Sequence, residues 1–302
     1  HFNQKIIKIN FIMIKKKYII ATPSFTYNSG GIIVLHKLAH LINEFGYDAY
    51  LHHYKIDKKS YFKTNQDYNT PIIPKNFYCE DDYIVIYPEI VIGNPLNAKN
   101  VVRWHLNRPG EVGGDGNYGT NDLVYDFSSI HFTKKYTKKN PRILSVHEMN
   151  FNLFYDKGKK RKGSCFLIHK GDRSKINLKL HSIEDEIIDT KPSADLANLL
   201  NEKEYFYSYD SATFVSRIAA MCGAKSVIIP DGSRSKKELL EAMPYGIAHG
   251  IDDLDRAIST KNKFLPWLKE VEKNDLKSVK KFIGNTQSHF KSKKTFNFSK
   301  KK

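Results

Sequence analysis

"YSYDSATFVSRIAAMCGAKSVIIPDG", residues 207–232, reads as a turn, a helix, a small-residue stop and a buried strand that ends in Pro-Asp-Gly. Phe214, Val215, Ile218, Ala219 and Cys222 recur at helical spacing and give the helix one apolar side. Ala219, Ala220 and Gly223 are small enough to let that side lie close against a sheet. A helix running straight into a buried apolar strand is the repeating step of a crossover unit, so the stretch predicts a parallel sheet covered by helices.

Upstream, "DTKPSADLANLLNEKEYF" supplies a proline-started helix and another strand, and "SCFLIHKG" supplies the strand that opens this half. The first half begins with "KKKYIIATPSFTYNSGGIIVLHKLAHLINEFGYDAYLHHY": a strand at 18–21, a loop, a helix whose apolar face includes Ile33, Leu38 and Ile42, a stop at Gly46, and a second strand. "DDYIVIYPEIV", "NVVRWHLN", "DLVYDFSSIHF" and "PRILSVHEM" read as further short strands between Gly-, Pro-, Asn- and Asp-rich turns. The charge run "FYDKGKKRKGSC" carries no apolar periodicity and is the expected linker. "KFLPWLKEVEKNDLKSVKKFIGNTQSHF" is expected to be helical after Pro266, ahead of a polar basic tail. The fold class is therefore α/β, with one parallel sheet in each half.

At 302 residues, 40% hydrophobic and 27% charged, the chain has the composition of a soluble globular protein. No apolar run approaches the roughly 20 residues that span a bilayer, and the N-terminal stretch mixes apolar residues with lysines rather than forming a secretory signal; a cytosolic protein is expected. Three scattered cysteines, Cys79, Cys165 and Cys222, suit buried reduced thiols better than disulfides or a zinc site. The net charge of +17 is compatible with a polyanionic partner, yet lysine outnumbers arginine 41 to 8 and no interleaved basic and aromatic motif is present, so nucleic acid is not an expected partner.

In an open α/β sheet ligands collect beyond the carboxyl ends of the strands, which selects a few loops. "NSGG", with Asn28, Ser29, Gly30 and Gly31, starts a helix where backbone N–H groups can approach a phosphate or sugar; a plain tight turn explains the same residues. It lacks the full GxGxxG and GxxxxGK[ST] patterns, which removes support for a nicotinamide dehydrogenase or a phosphate-loop ATPase. "HKGDRSK" places Lys170, Arg173 and Lys175 where they can neutralise a diphosphate or simply face water. Tyr209, Asp210, Ser211 and Thr213 precede the helix of the opening stretch, with Asp210 or Ser211 the expected N-cap and the first-turn N–H groups an alternative phosphate cradle. Glu89 and His105 follow strands of the first half and are candidates for proton transfer with an acceptor hydroxyl, or for plain structural hydrogen bonding. No metal-binding spacing is found.

Taken in order, "NSGG", "YPEIVIGNPLNAKNVVRWHLNRPG", "IHKG" and "SYDSATFVSRIAAMCGAKSVIIPDG" resemble the GT-B superfamily of nucleotide-sugar glycosyltransferases, of the family 4-like or group 1-like kind. That resemblance implies two Rossmann-like domains facing across a cleft. Residues 1–158 would form the acceptor side, 159–263 the donor side, a helix at about 264–290 would pack back on the first domain, and 291–302 would be a basic tail. It implies a metal-independent enzyme with no bound cofactor and a nucleotide diphosphate sugar as co-substrate. Lys170, Arg173, Tyr209, Asp210, Ser211 and Thr213 would bind the donor, and Glu89 and His105 would serve catalysis. Arg217 stands where many relatives carry a glutamate that holds the donor ribose. The implied acceptor is a glycan or a lipid-linked sugar of a surface polysaccharide, met by a protein resting peripherally on an anionic membrane surface. A non-catalytic sugar-nucleotide-binding module of the same fold is the alternative.

Overall fold

The first strand, β1 (Lys17–Thr22), alternates strictly: Tyr18 and Ile20 enter one apolar cluster, Ile19 and Ala21 another on the opposite face. Burial on both faces is what a central parallel strand requires. The computed structural model describes residues 15–27, 29–54, 61–74, 77–128, 141–169, 171–181, 186–188, 193–211 and 213–291. Asn28, Lys170 and all of the basic tail but Lys291 lie outside them.

After β1 come α1 (Gly30–Glu44), β2 (Ala49–His53), β3 (Tyr83–Pro88), β4 (Asn100–His105) and β5 (Leu123–Asp126), forming one parallel sheet in the order β2-β1-β3-β4-β5. The second sheet uses β6 (Ser164–Leu167), β7 (Glu186–Ile187), β8 (Tyr205–Ser208), β9 (Lys225–Ile228) and β10 (Ile247–His249), in the order β10-β9-β8-β6-β7. Counted from its own first strand, each sheet runs 2-1-3-4-5. Each therefore reverses direction between its first and third strands, and a crevice opens at the carboxyl end of such a switch point. The expected helical crossovers hold for β1–β2 and for the second sheet, through α2 (Ser193–Glu202), α3 (Val215–Met221) and α4 (Lys236–Ala242). Among the described residues no helix joins β2 to β5.

A short helix, α5 (Leu254–Ser259), leads into α6 (Lys261–His289). That helix begins five residues before Pro266. A proline in the second turn forfeits one backbone bond, and the helix runs through it because Phe264 and Leu268 on either side are anchored in the second core. Phe264 and Leu268 sink into the second core, and Val279, Phe282 and Ile283 into the first, with Tyr18 hydroxyl 2.8 Å from that of Thr286. No helix among the described residues is long and apolar enough to cross a membrane.

Two sequence expectations change. "PRILSVHEM" is not a strand: a single bridge joins Ile143 to Asp126, with Leu144 N–H donating to the Asp126 carbonyl, and from Ser145 onward alternate N–H groups go to α6 side chains instead. Ser145 N–H donates to Ser278 Oγ (3.1 Å), His147 N–H to an Asp275 carboxylate oxygen, and Met149 N–H to Glu272 Oε1 (3.1 Å). Nor are all three thiols buried; Cys165 and Cys222 are, whereas Cys79 is partly exposed.

Candidate functional site: a cavity between the two sheets

The carboxyl ends of β1, β3, β4, β5, β6, β7 and β8 converge on a cavity of about 340 Å³. The first sheet contributes Ser29, Gly30 and Gly31 at the start of α1, then Glu89, Asn107 and Phe127 beyond later strands. The second contributes His169, Asp210, Ser211, Thr213, Phe214 and Arg217. The two walls nearly touch at Gly30: a Cβ there would lie 3.3 Å from Phe214 Cβ, so a larger residue would push the walls apart.

Between the walls lies His147, which sequence reading missed. Its Nδ1 sits 3.1 Å from both carboxylate oxygens of Asp275, which is 3% exposed on α6. A carboxylate can only accept, so in the neutral ring Nδ1 carries the hydrogen and Nε2 keeps its lone pair, on a residue that lines the cavity. Burial is the main cause lowering the imidazole pKa below 6.5; Asp275 opposes it and the Arg217 charge reinforces it. His147 is thus a neutral, oriented base at neutral pH. No local signal marks it, because its partner is 128 residues away in sequence.

Arg217 lines the same cavity. Its Nε has no hydrogen-bond partner, and its guanidinium lies 6.0 Å from the Trp267 ring. Desolvation pulls its pKa from 12.5 to about 10, with Asp275 opposing. It remains charged at neutral pH and ready for an anion. His169 adopts a left-handed backbone (φ 43°), costly for a residue with a Cβ, and its Nδ1 lies 3.0 Å from Asp210 Oδ2. The turn after it is compressed against β8: a Cβ on Gly171 would come within 2.1 Å of the Tyr209 carbonyl oxygen, so only glycine fits.

The remaining expected site residues divide. Glu89 lines the cavity, buried, with Oε2 accepting the Leu106 N–H at 2.9 Å. His105 does not line it. Fully buried, its Nδ1 is 2.8 Å from Asp126 Oδ1 and its Nε2 is 3.1 Å from the Tyr118 hydroxyl, so the reading of His105 as facing the cleft is corrected. Tyr209 also turns away, into the core, where its hydroxyl meets Asn177 N–H (2.9 Å) and His181 Nε2 (2.7 Å). Arg173 stands exposed on a 3-10 turn capped by Asp172, outside the cavity lining. Neither Asp210 nor Ser211 caps α3. The helix starts later, at Val215, whose N–H is taken by Thr213 Oγ1 at 3.2 Å, while Ser211 Oγ bonds Ser233 Oγ and Arg234.

Two arginines cross between the sheets in opposite directions. Arg234, 7% exposed, donates to Ser211 Oγ, Asn107 Oδ1 and Glu111 Oε2, each at 3.0 Å. Arg108 donates to the Ser233 carbonyl at 3.0 Å and reaches Glu238 Oε1 at 3.3 Å. Hydrogen bonds that involve a buried charge each contribute about 1.5–3 kcal/mol. Arg234→Ala, which removes all three, should lower unfolding free energy by roughly 3–5 kcal/mol, read as a reduced urea midpoint. Glu111→Gln keeps an acceptor at a partly exposed position and should cost well under half of that.

No protein-family model matches the chain, and no curated protein matches it. Among solved structures it is similar to the glycosyltransferase SnogD from Streptomyces nogalater, with 9% sequence identity over 90% of this chain and 100% of that one and a TM-score of 0.43. A likeness at that score carries no weight for fold or chemistry.

Proposed function

We propose that the protein is a glycosyltransferase of the GT-B kind, moving a sugar from a nucleotide diphosphate donor to an acceptor hydroxyl. In this reading residues 1–158 form the acceptor-side domain, 159–263 the donor-side domain, and the helix at about 264–290 ties them. The observation that carries it is the pairing, across one cavity, of a neutral imidazole fixed by a buried carboxylate with a guanidinium that has no partner at Nε.

Sugar transfer needs both. His147 Nε2 takes the proton of the acceptor hydroxyl as its oxygen attacks the anomeric carbon. The bond from that carbon to the diphosphate oxygen breaks, and its electron pair leaves with the diphosphate. Arg217, together with the hydroxyls of Ser211 and Thr213, stabilises that departing charge, the role a divalent cation would otherwise fill. Lys170 joins them in this proposal, and Glu89 orients the acceptor. One base and one displacement give inversion at the anomeric carbon.

The test is calorimetry with UDP, GDP and dTDP, followed by incubation with their sugar conjugates and a search for slow release of free nucleotide. One nucleoside diphosphate should bind, Arg217→Ala should weaken it by tenfold or more, and its sugar conjugate should be turned over. Binding without turnover would favour a non-catalytic sugar-nucleotide module. Absence of binding by all three would sink the proposal.

A further inference from the structure

Much of the cavity lining that includes His147 is hydrocarbon, among it Ile33, Ile90, Leu106, Phe127, Met149 and Phe214, with the Phe127 ring 4.9 Å from the imidazole. Its larger polar side chains are already committed to protein partners. Glu89 Oε2 holds the Leu106 N–H, and Glu148 Oε2 holds the Tyr68 hydroxyl at 2.6 Å and Lys37 Nζ at 2.8 Å. Asn107 Oδ1 accepts from Arg234 and from the Arg108 N–H, both at 3.0 Å. His147 lines the same space with Nδ1 held by Asp275, which leaves Nε2 as the ring nitrogen for a ligand.

This wall suits some acceptors and penalises others. An oligosaccharide carries a hydroxyl on nearly every carbon, and each one buried against hydrocarbon loses its water without gaining a partner. A fused-ring or long-chain alcohol with few hydroxyls loses little and gains from burial of apolar area. The volume lies near the lower end of the roughly 300–1,000 Å³ of small-molecule sites, and the donor diphosphate draws on the same space, so an acceptor held here is compact.

We infer that the acceptor is a weakly polar alcohol or phenol, an apolar aglycone whose reacting hydroxyl meets His147 while its hydrocarbon fills the space between Leu106, Phe127 and Phe214. The chemistry rests on the transferase reading; the binding does not. The acceptor O–H gives its proton to His147, its oxygen forms the new bond to the anomeric carbon, and the nucleoside diphosphate leaves with the electron pair. The products are the aglycone glycoside and the free nucleoside diphosphate. Polysaccharide and lipid-linked sugar acceptors, whose reacting hydroxyl sits on a sugar ring, are disfavoured.

The experiment compares 2-naphthol with maltotriose on the full chain, binding being followed by 2-naphthol fluorescence and by calorimetry. 2-Naphthol should bind at least tenfold more tightly than maltotriose. Leu106→Gln should weaken it tenfold or more, as should Val112→Trp, which places a bulky ring at a position 46% exposed and on the cavity lining, where folding is undisturbed. An unchanged circular dichroism spectrum and a cooperative urea transition show that each variant is folded. Maltotriose binding as tightly as 2-naphthol, or naphthol affinity that neither variant alters, would overturn the inference while leaving the transferase reading intact. If naphthol binds and responds to both variants but no nucleoside diphosphate binds, the transferase reading falls and the apolar site stands. With the active sugar nucleotide, the expected product is the naphthyl glycoside.

Discussion

His147→Ala should lower the turnover of sugar transfer by about 10²–10⁴-fold, the usual loss when a positioned general base is removed, with nucleoside diphosphate affinity changed less than threefold. The pH profile separates this role from a merely structural one. Because burial holds the imidazole pKa below 6.5, kcat/KM should be on its plateau at neutral pH and fall only on the acid side of 6.5. Asp275 acts through His147, so Asp275→Asn is a positioning variant with its own signature. It removes an influence that raises the imidazole pKa, so the acid limb should move to lower pH while the plateau drops at least about tenfold through lost orientation. A profile whose acid limb stays in place when Asp275 is replaced would show that the pair does not act as a unit.

The second large effect is on stability in acid. His249, at the end of β10, is 5% exposed, and its ring meets the Met243 backbone only in poor hydrogen-bonding geometry, a contact that weakly favours the charged form. Burial lowers its pKa from 6.5 to about 4; Asp253 opposes that shift, while Arg256 and Lys236 add to it. The folded pKa lies below the unfolded one, so as pH falls the unfolded chain takes up the proton first. Stability is therefore complete above about pH 6.5 and drains away between there and pH 4, by roughly 3 kcal/mol in all. His249→Phe removes the titration. Urea unfolding at pH 7 and pH 4.5 should show the variant losing clearly less stability across that interval than the parent. Equal losses would assign the acid sensitivity elsewhere, for example to the buried His36.

The parallel sheets were legible because their signal is local. β1 alternates at period two, α1 repeats Ile33, Leu38 and Ile42 on one face, and each element ends at a visible stop. Placing the candidate loops at carboxyl strand ends was equally a local inference, and it brought Gly30, Glu89, Ser211 and Arg217 to one cavity. What could not be read depends on partners far away in sequence. The apolar residues of "PRILSVHEM" look like a strand whether their backbone pairs with another strand or with Ser278, Asp275 and Glu272. His105 sits at the right end of the right strand, and only Asp126 and Tyr118 reveal that it faces inward. Asp210 and Ser211 have the composition of caps but are drawn to His169 and Arg234 instead.

The two-core reach of α6 also sets an order of events during synthesis. Tyr18 and Thr286 are 268 residues apart, and Val279, Phe282 and Ile283 close a core whose other members were made at the start of the chain. As the nascent chain emerges, the first sheet must wait with that face open until the second sheet and α6 have been translated. Asp275 arrives on the same helix, so His147 gains its orienting carboxylate only when this helix docks. A chain made only as far as the second sheet therefore holds His147 without Asp275, and docking of α6 closes the first core and pairs the two residues in one step.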